Sequence, residues 1–206
     1  MSDRVLRDHG LGPFLASASS VESNDAGMSV QILPALGQIN LRGNASDPEF
    51  AEAVTSALGQ GLPVDANTMS IQGHRVYWLG PNEWLIVTQH KGIDELMTRL
   101  RGTGGTQSAV TDVSGGNIVL RLAGRGVRDL LAKGCTLDTH PATLQVATCA
   151  QSGLAKANVL IGLVDPQPVF EIVVRRSFSE YLALWLQSAG RELDVSFTVS
   201  QTGPGA

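Results

Sequence analysis

Apolar and polar residues alternate in short bursts along this chain, and each burst gives way to apolar positions at helical spacing. "MSVQILP" from Met28 and "GQINLRG" from Gly37 alternate as half-buried strands do. Asp47-Pro48 then offers a helix N-cap with proline at the first helical position, and Phe50, Val54, Ala57 and Leu58 recur every three or four residues. "HRVYWLG" and "EWLIVT" read as two strands joined through Gly80-Pro81-Asn82. A helix is predicted from about Ile93 to Leu100, with Leu96, Met97 and Leu100 on its inner face. "GTGG" ends it, because glycine tolerates the left-handed cap conformation.

The second half repeats the plan. "QSAVTDVSGGNIVLRLAG" gives two strands with Ser114-Gly115-Gly116 as a tight turn between them, and a helix begins at Gly126 with Val127, Leu130 and Leu131 on one stripe. "NVLIGLV" and "PVFEIVVRR" form a strand pair, and "SFSEYLALWLQSAG" is an amphipathic helix capped by Ser177 or Ser179 and ended by Gly190. After a leading strand, each half therefore runs strand, helix, strand, strand, helix. "INLRG" matches "LRLAG", and "EWLIVT" matches "FEIVVR", each just before a helix. Such self-similarity marks a duplicated supersecondary unit with two halves facing each other about a pseudo-twofold. The fold class expected is α+β, with antiparallel sheets and helices packed on them.

Residues 1–28 are rich in Ser, Gly, Asp and Asn around a Leu11, Phe14, Leu15 cluster, and are expected to form an arm that orders only when it docks. Residues 29–201 form the folded region, with pseudo-repeats at about 29–104 and 105–195, and residues 202–206 form a loose tail.

Composition narrows the class. The 206 residues are 43% apolar but only 17% charged, against roughly 25% in ordinary soluble domains. Such a deficit fits a surface partly hidden against a partner. A net charge of -4 with no basic block excludes the footprint of a phosphate-backbone binder. No apolar run approaches the ~20 residues that span a bilayer, and the N-terminus lacks the apolar core of a secretory signal, so a cytoplasmic location is expected. Cys135 and Cys149 are expected as free thiols of a reducing compartment.

The candidate chemistry is thin. "GTGGTQ" at 102–107 leads into a strand and "GRGVRD" at 124–129 lacks the last glycine, so neither forms a phosphate cradle. Cys135, Asp138 and His140 make the best metal cluster, but a structural zinc site takes two short ligand pairs, and His9, His74 and His90 are scattered. The plainer reading is adopted: Cys135 is a small buried residue at a helix end, and Asp138 and His140 shape a turn before Pro141. Ser114 with Asp112, and His140 elsewhere, matches no nucleophile elbow. Asp112 suits a ligand amine or a turn cap, with the cap preferred. Arg175-Arg176-Ser177 suits a partner's carboxylate as well as solvent. Trp185 lies with Tyr181, Leu182 and Leu186 as core.

"WLGPNEWLIV" resembles the WLGPdEWL signature of the gamma subunits of heterotetrameric sarcosine oxidase, and three further segments agree in order and spacing. They are "VTDVSGGNIVLRLAGRGVRDLLAKGCTLDTHP", "ATCAQSGLAKANVLI" and "FEIVVRRSFSEYLALWL", so that the resemblance spans about Ile32 to Leu186. The residues matching this pattern are Trp78, Gly80, Pro81, Glu83, Trp84, Asp112, Ser114, Asp138, Arg176 and Ser177. Asn82 stands where the family has aspartate, and Ser152-Gly153 where a threonine follows "CAQ".

The resemblance implies a fold like that of glycine-cleavage aminomethyltransferase and an assembly of alpha, beta, gamma and delta subunits. It implies that FAD, FMN, NAD, zinc and tetrahydrofolate belong to the partner subunits, with tetrahydrofolate in alpha. It implies oxidation of sarcosine to glycine by the complex, with release of hydrogen peroxide and formaldehyde or methylene-tetrahydrofolate. No catalytic, cofactor or metal residue is then expected in this chain, whose direct contact is with alpha. The competing expectation is a stand-alone folate-binding or one-carbon transfer protein, for which Asp112 or Glu83 would reach the pterin. A third is a small enzyme using Cys135 with His140. The "GPNEW" corner itself is expected to be architecture: Gly80 permitting close approach, Pro81 fixing φ, Glu83 satisfying backbone N–H groups or an arginine, and Trp84 locking the first half onto the second.

Overall fold

The computed structural model of the chain describes residues 11–17, 27–102, 108–200 and 203. A short helix α1 (Gly12–Ser17) precedes strands β1 (Met28–Ile32) and β2 (Leu36–Arg42). Helix α2 (Pro48–Leu58), strands β3 (Met69–Ser70), β4 (Arg75–Gly80) and β5 (Glu83–Gln89), and helix α3 (Ile93–Arg101) follow. The order then repeats with β6 (Ala109–Asp112), β7 (Asn117–Ala123), α4 (Val127–Ala132), β8 (Cys149–Leu154), β9 (Ala157–Asp165), β10 (Val169–Arg175) and α5 (Ser179–Ala189). Strand β11 (Val195–Val199) ends the series.

Among the described residues the strands form two sheets, one ordered β11-β1-β7-β10-β9-β8 and the other β3-β4-β5-β2-β6. Every pairing is antiparallel except β1 with β11, which is parallel. The protein is therefore α+β. The repeat predicted from sequence is visible in the sheet order, where β3, β4, β5, β2 and β6 correspond to β8, β9, β10, β7 and β1. The two corresponding end strands are exchanged: β1 precedes β2 but pairs with β7, whereas β6 precedes β7 but pairs with β2.

The described residues accordingly fall into two compact units that do not coincide with the two sequence repeats. One holds the residues up to Ala35 and from Gly115 to Ser200; the other holds Leu36 to Ser114 and Gly203. Ser114-Gly115-Gly116 is thus not a hairpin turn. It joins β6 of one sheet to β7 of the other, because register is set by distant partners that a local motif does not encode.

Each unit packs the apolar stripes of two helices on one face of its sheet. In the first, Val127, Leu130 and Leu131 of α4 and Leu182, Ala183 and Leu186 of α5 meet Val30, Leu122, Ile161, Phe170 and Ile172. In the second, Phe50, Val54, Ala57 and Leu58 of α2 and Leu96, Met97 and Leu100 of α3 meet Ile39, Leu41, Val76, Trp84 and Ile86. The opposite sheet faces also carry buried residues, among them Val119, Leu160 and Val173 in one unit and Tyr77, Leu85 and Val87 in the other. Burial on both faces explains why "EWLIVT" is a nearly continuous apolar run.

Local signals held where they were backbone-specific. Asp47 caps α2 by accepting from the Glu49 N–H at 3.0 Å, with Pro48 at the first helical position and Gly59 left-handed at the end. The duplicated glycines also have reasons. A side chain on Gly43 would strike the Phe50 ring, and Gly124 takes φ +122 against the Gly27 carbonyl.

Other expectations are corrected. Gly102 at the end of α3 is right-handed at φ -74, its N–H bonding back to Thr98 and Arg99, while residues 103–107 lie outside the described residues. No serine side chain caps α5 or the 3-10 turn (Arg176–Phe178) before it, so Ser177 and Ser179 have no capping role. The Leu11–Phe14 segment does not wait for a partner. Both side chains are buried in the core of their own unit, and the Phe14 ring packs edge-on against Phe197 at 4.9 Å. The remainder of the expected arm up to residue 26, and most of the expected tail, lie outside the described residues.

Candidate functional site

The corner between β4 and β5 collects more of the sequence-selected residues than any other place. Trp78 and Trp84 are direct cross-strand partners, so their rings share a face, and the register shifts between Trp78 and Gly80. Pro81 and Asn82 make the loop, with Asn82 left-handed at φ 62, the arrangement of a type II turn. Asn82 also accepts from the Gly43 N–H through its carbonyl at 3.1 Å and from the Ala45 N–H through Oδ1 at 3.2 Å. Gly80 is not the residue that permits close approach, since a Cβ there would meet nothing within 4 Å. The strained position is Asn82, and asparagine tolerates it better than most residues.

Replacing Asn82 with alanine is accordingly expected to cost about 1–2 kcal/mol in chemical unfolding, from the left-handed backbone and the lost side-chain bond. Asn82→Gly should recover most of the backbone part. Equal stability of the two variants would contradict this assignment.

Glu83 is bound within its own sheet. Its Oε1 accepts from Asn40 Nδ2 and from Arg42 Nη2, both at 2.9 Å, and Arg42 is its direct partner across the strands. Burial would by itself raise the Glu83 pKa, but the bonds from Asn40 and Arg42 and the Arg42 charge together hold it below its ordinary value. The carboxylate therefore contributes stability that is complete above the unfolded-state pKa and disappears as pH falls through the folded-state value. Because the Arg42 side chain is 62% exposed, Glu83→Gln should cost no more than about 1 kcal/mol at neutral pH. The difference between variant and parent in urea titrations should vanish in acid; a difference that persists there would rule out the charge as its source.

Trp84 is 1% exposed. Its ring lies 6.4 Å from that of Phe50, and its Nε1 donates to the Pro63 carbonyl at 2.7 Å. From sequence it is expected to lock one half onto the other; the structure places it in the core of its own unit instead.

The remaining candidates lie in other segments of the chain, held mainly by local bonds. Asp112 Oδ1 accepts from the Ser114 N–H at 2.9 Å and from Ser114 Oγ at 2.5 Å, and Ser114 Oγ in turn accepts from the Gln38 N–H at 2.9 Å. This is a turn cap with no histidine in it. Asp138 accepts from the His140 N–H at 2.9 Å and from Thr143 Oγ1 at 2.8 Å, which hold its carboxyl below the usual range. His140 Nδ1 accepts from the Ala142 N–H, and half-buried Cys135 has its Sγ 3.6 Å from Ser152 Oγ. Cys135 and His140 are thus turned to different partners. Among the described residues no three His, Cys, Asp or Glu side chains gather to hold a metal ion. No helix among them is long and apolar enough to cross a membrane. Arg175 is exposed at the end of β10, Ser177 is exposed, and the Arg176 N–H donates to the Gly116 carbonyl at 3.0 Å.

The most deeply buried carboxylate among the described residues is expected from sequence only as an echo of Glu83 ahead of an apolar run. Glu171 is 0% exposed and takes the Arg121 guanidinium at 2.8 Å. It is not the counterpart of Glu83. Arg42 and Ala123 occupy equivalent places before Gly43 and Gly124 and face Glu83 and Val169, so Glu171 sits two positions deeper in its strand. The available signal was Arg121, an isolated charge inside "IVLRLAG".

At the corner, Glu83 Oε1, the Asn82 carbonyl and Asn82 Oδ1 all accept bonds from donors of the chain itself. The architecture is shared with aminomethyltransferase T of the glycine cleavage system from Bartonella henselae. That structure superposes with a TM-score of 0.60 at 16% identity, over 84% of this chain and 48% of that one, a likeness of fold alone. Residues 42–192 match the sarcosine oxidase, gamma subunit family, and the chain belongs to that family. Sarcosine oxidase subunit gamma from Corynebacterium sp. (strain P-1) is 29% identical over 180 residues, covering 86% of this chain and 87% of the relative. Its namesake from Corynebacterium sp. (strain U-96) is 31% identical over 147 residues, 70% of each. Among solved structures, a chain of the heterotetrameric sarcosine oxidase from Corynebacterium sp. U-96, in complex with pyrrole 2-carboxylate, superposes with a TM-score of 0.81 at 27% identity. The match covers 92% of this chain and 97% of that one.

Proposed function

We propose that this chain is the structural gamma subunit of a heterotetrameric sarcosine oxidase, docking mainly on the alpha subunit and carrying no active site of its own. The complex oxidatively demethylates sarcosine to glycine, forming hydrogen peroxide and formaldehyde or methylene-tetrahydrofolate. FAD, FMN, NAD, zinc and tetrahydrofolate are assigned to the other subunits, and the complex to the cytoplasm. The observation that carries this reading is the family match over 42–192 together with near full-length likeness to one chain of a heterotetrameric sarcosine oxidase.

The site geometry supports a non-catalytic role. Amine oxidation requires groups that place a substrate against a flavin, whereas Glu83, Asp112 and Asp138 are each engaged in bonds that brace their own turns. Asp112 Oδ1 and Glu83 Oε1 each serve local donors, which favours this reading over the folate-binding alternative. Tagging the chain in its native cell should recover the alpha, beta and delta subunits by mass spectrometry, with a flavin spectrum in the eluate. Recovery of the chain alone, joined by micromolar binding of tetrahydrofolate in calorimetry, would replace this reading with the folate-binding one.

A further inference from the structure

Five large apolar side chains among the described residues are exposed, and three of them lie on one ridge: Phe178 at 42%, Tyr181 at 36% and Leu184 at 51%. Their spacing of three residues along the 3-10 turn and α5 puts them on one outward face, with Leu182, Ala183 and Leu186 facing the core. The Phe178 and Tyr181 rings pack edge to face, 6.4 Å apart at 88°, so the aromatic pair is already ordered. Two exposed cations border the ridge. Arg175 lies at its start, and Lys156 is held against it by its own N–H, which donates to Tyr181 Oη at 3.2 Å. Neither cation has a carboxylate within ion-pair distance among the described residues. Glu180 is exposed beside the ridge.

We propose that this ridge docks the alpha subunit of the complex through a facing surface that is apolar at the centre and carries carboxylates at its rim. The proposal rests on the reading of the chain as a gamma subunit and adds to it the surface and the chemistry of the partner. A packed aromatic pair bordered by the two cations Arg175 and Lys156 suits such a surface, where burial supplies affinity and charge supplies orientation.

The full-length tagged chain, co-expressed with the other subunits, tests this by their recovery on the tag. Leu184→Asp should lower that recovery at least about tenfold, since it places a charge at the centre of the contact. Arg175→Glu should also lower it and should weaken the salt dependence of what remains. Val64→Asp, at a position 63% exposed in the other unit, should leave it unchanged. Circular dichroism of each variant establishes folding; if Leu184→Asp melts early, Leu184→Ala and Arg175→Glu decide instead. Undiminished recovery by the ridge variants, with wild type recovering its partners, overturns this proposal alone. Wild type recovering no partner overturns the subunit reading as well. Self-association of the isolated chain that Leu184→Asp abolishes, with partner recovery intact, assigns the ridge to a second copy and overturns the proposal.

Discussion

Trp84→Ala is expected to lower the unfolding free energy of the chain by about 3–5 kcal/mol, the range for emptying a large aromatic site in a packed core. The ring is 1% exposed, faces Phe50 beneath α2, and is the largest side chain in its unit's core. Its loss also leaves the Pro63 carbonyl without the indole N–H. Trp84→Phe should recover more than half of the loss, because it restores most of the apolar volume while still omitting that bond. Urea titration monitored by far-ultraviolet circular dichroism gives both values. A loss below about 1 kcal/mol for alanine would place the tryptophan outside the core.

Glu171→Ala is the second large effect. The substitution leaves the Arg121 guanidinium, whose side chain is only 24% exposed, without its carboxylate. Removing one member of a buried pair costs about 3–5 kcal/mol, and the residual solvent access of Arg121 puts this case near about 3. The pair and the single variant behave differently. Replacing Glu171 and Arg121 together by leucine removes both charges from the sheet and should bring stability back to within about 1–2 kcal/mol of the parent. If the double variant is as unstable as Glu171→Ala, packing and not the orphaned charge is responsible.

The elements that sequence resolved are those set by neighbours in the chain. Asp47-Pro48 caps a helix because a carboxylate and a missing N–H act over two residues, and the stripes of α2, α3 and α4 follow from helical spacing. On α5, by contrast, Tyr181, expected in the core with Trp185, is exposed, and Trp185 is only partly buried. The two-residue β3 offered too little pattern to detect. The six-residue β8 buries only Cys149 and Leu154 and reads as loop. The exchange of β1 and β6 was hidden for a different reason. Each is a plausible hairpin partner of the strand after it, and only long-range register shows otherwise.

The same division runs through the corner. Pro81 and Glu83 were legible as turn and brace, and the arginine expected for Glu83 is Arg42. The close approach expected at Gly80 is absent, and the conformationally demanding residue is Asn82, which carries the positive φ. Glu171 reads in sequence as an echo of Glu83, but its burial is not legible because its charge suggests solvent, whereas the registered Arg121 makes burial tolerable.

The proposed gamma-subunit role predicts that the chain matters for assembly rather than for chemistry. The direct test is to produce the alpha, beta and delta subunits with and without this chain and to measure both assembled mass and sarcosine-dependent peroxide formation. With the chain present, an active complex of four subunits is expected; without it, assembly and activity should fall together, and the purified chain alone should form no peroxide. Full assembly and activity in its absence, or peroxide formation by the chain alone, would contradict a structural role.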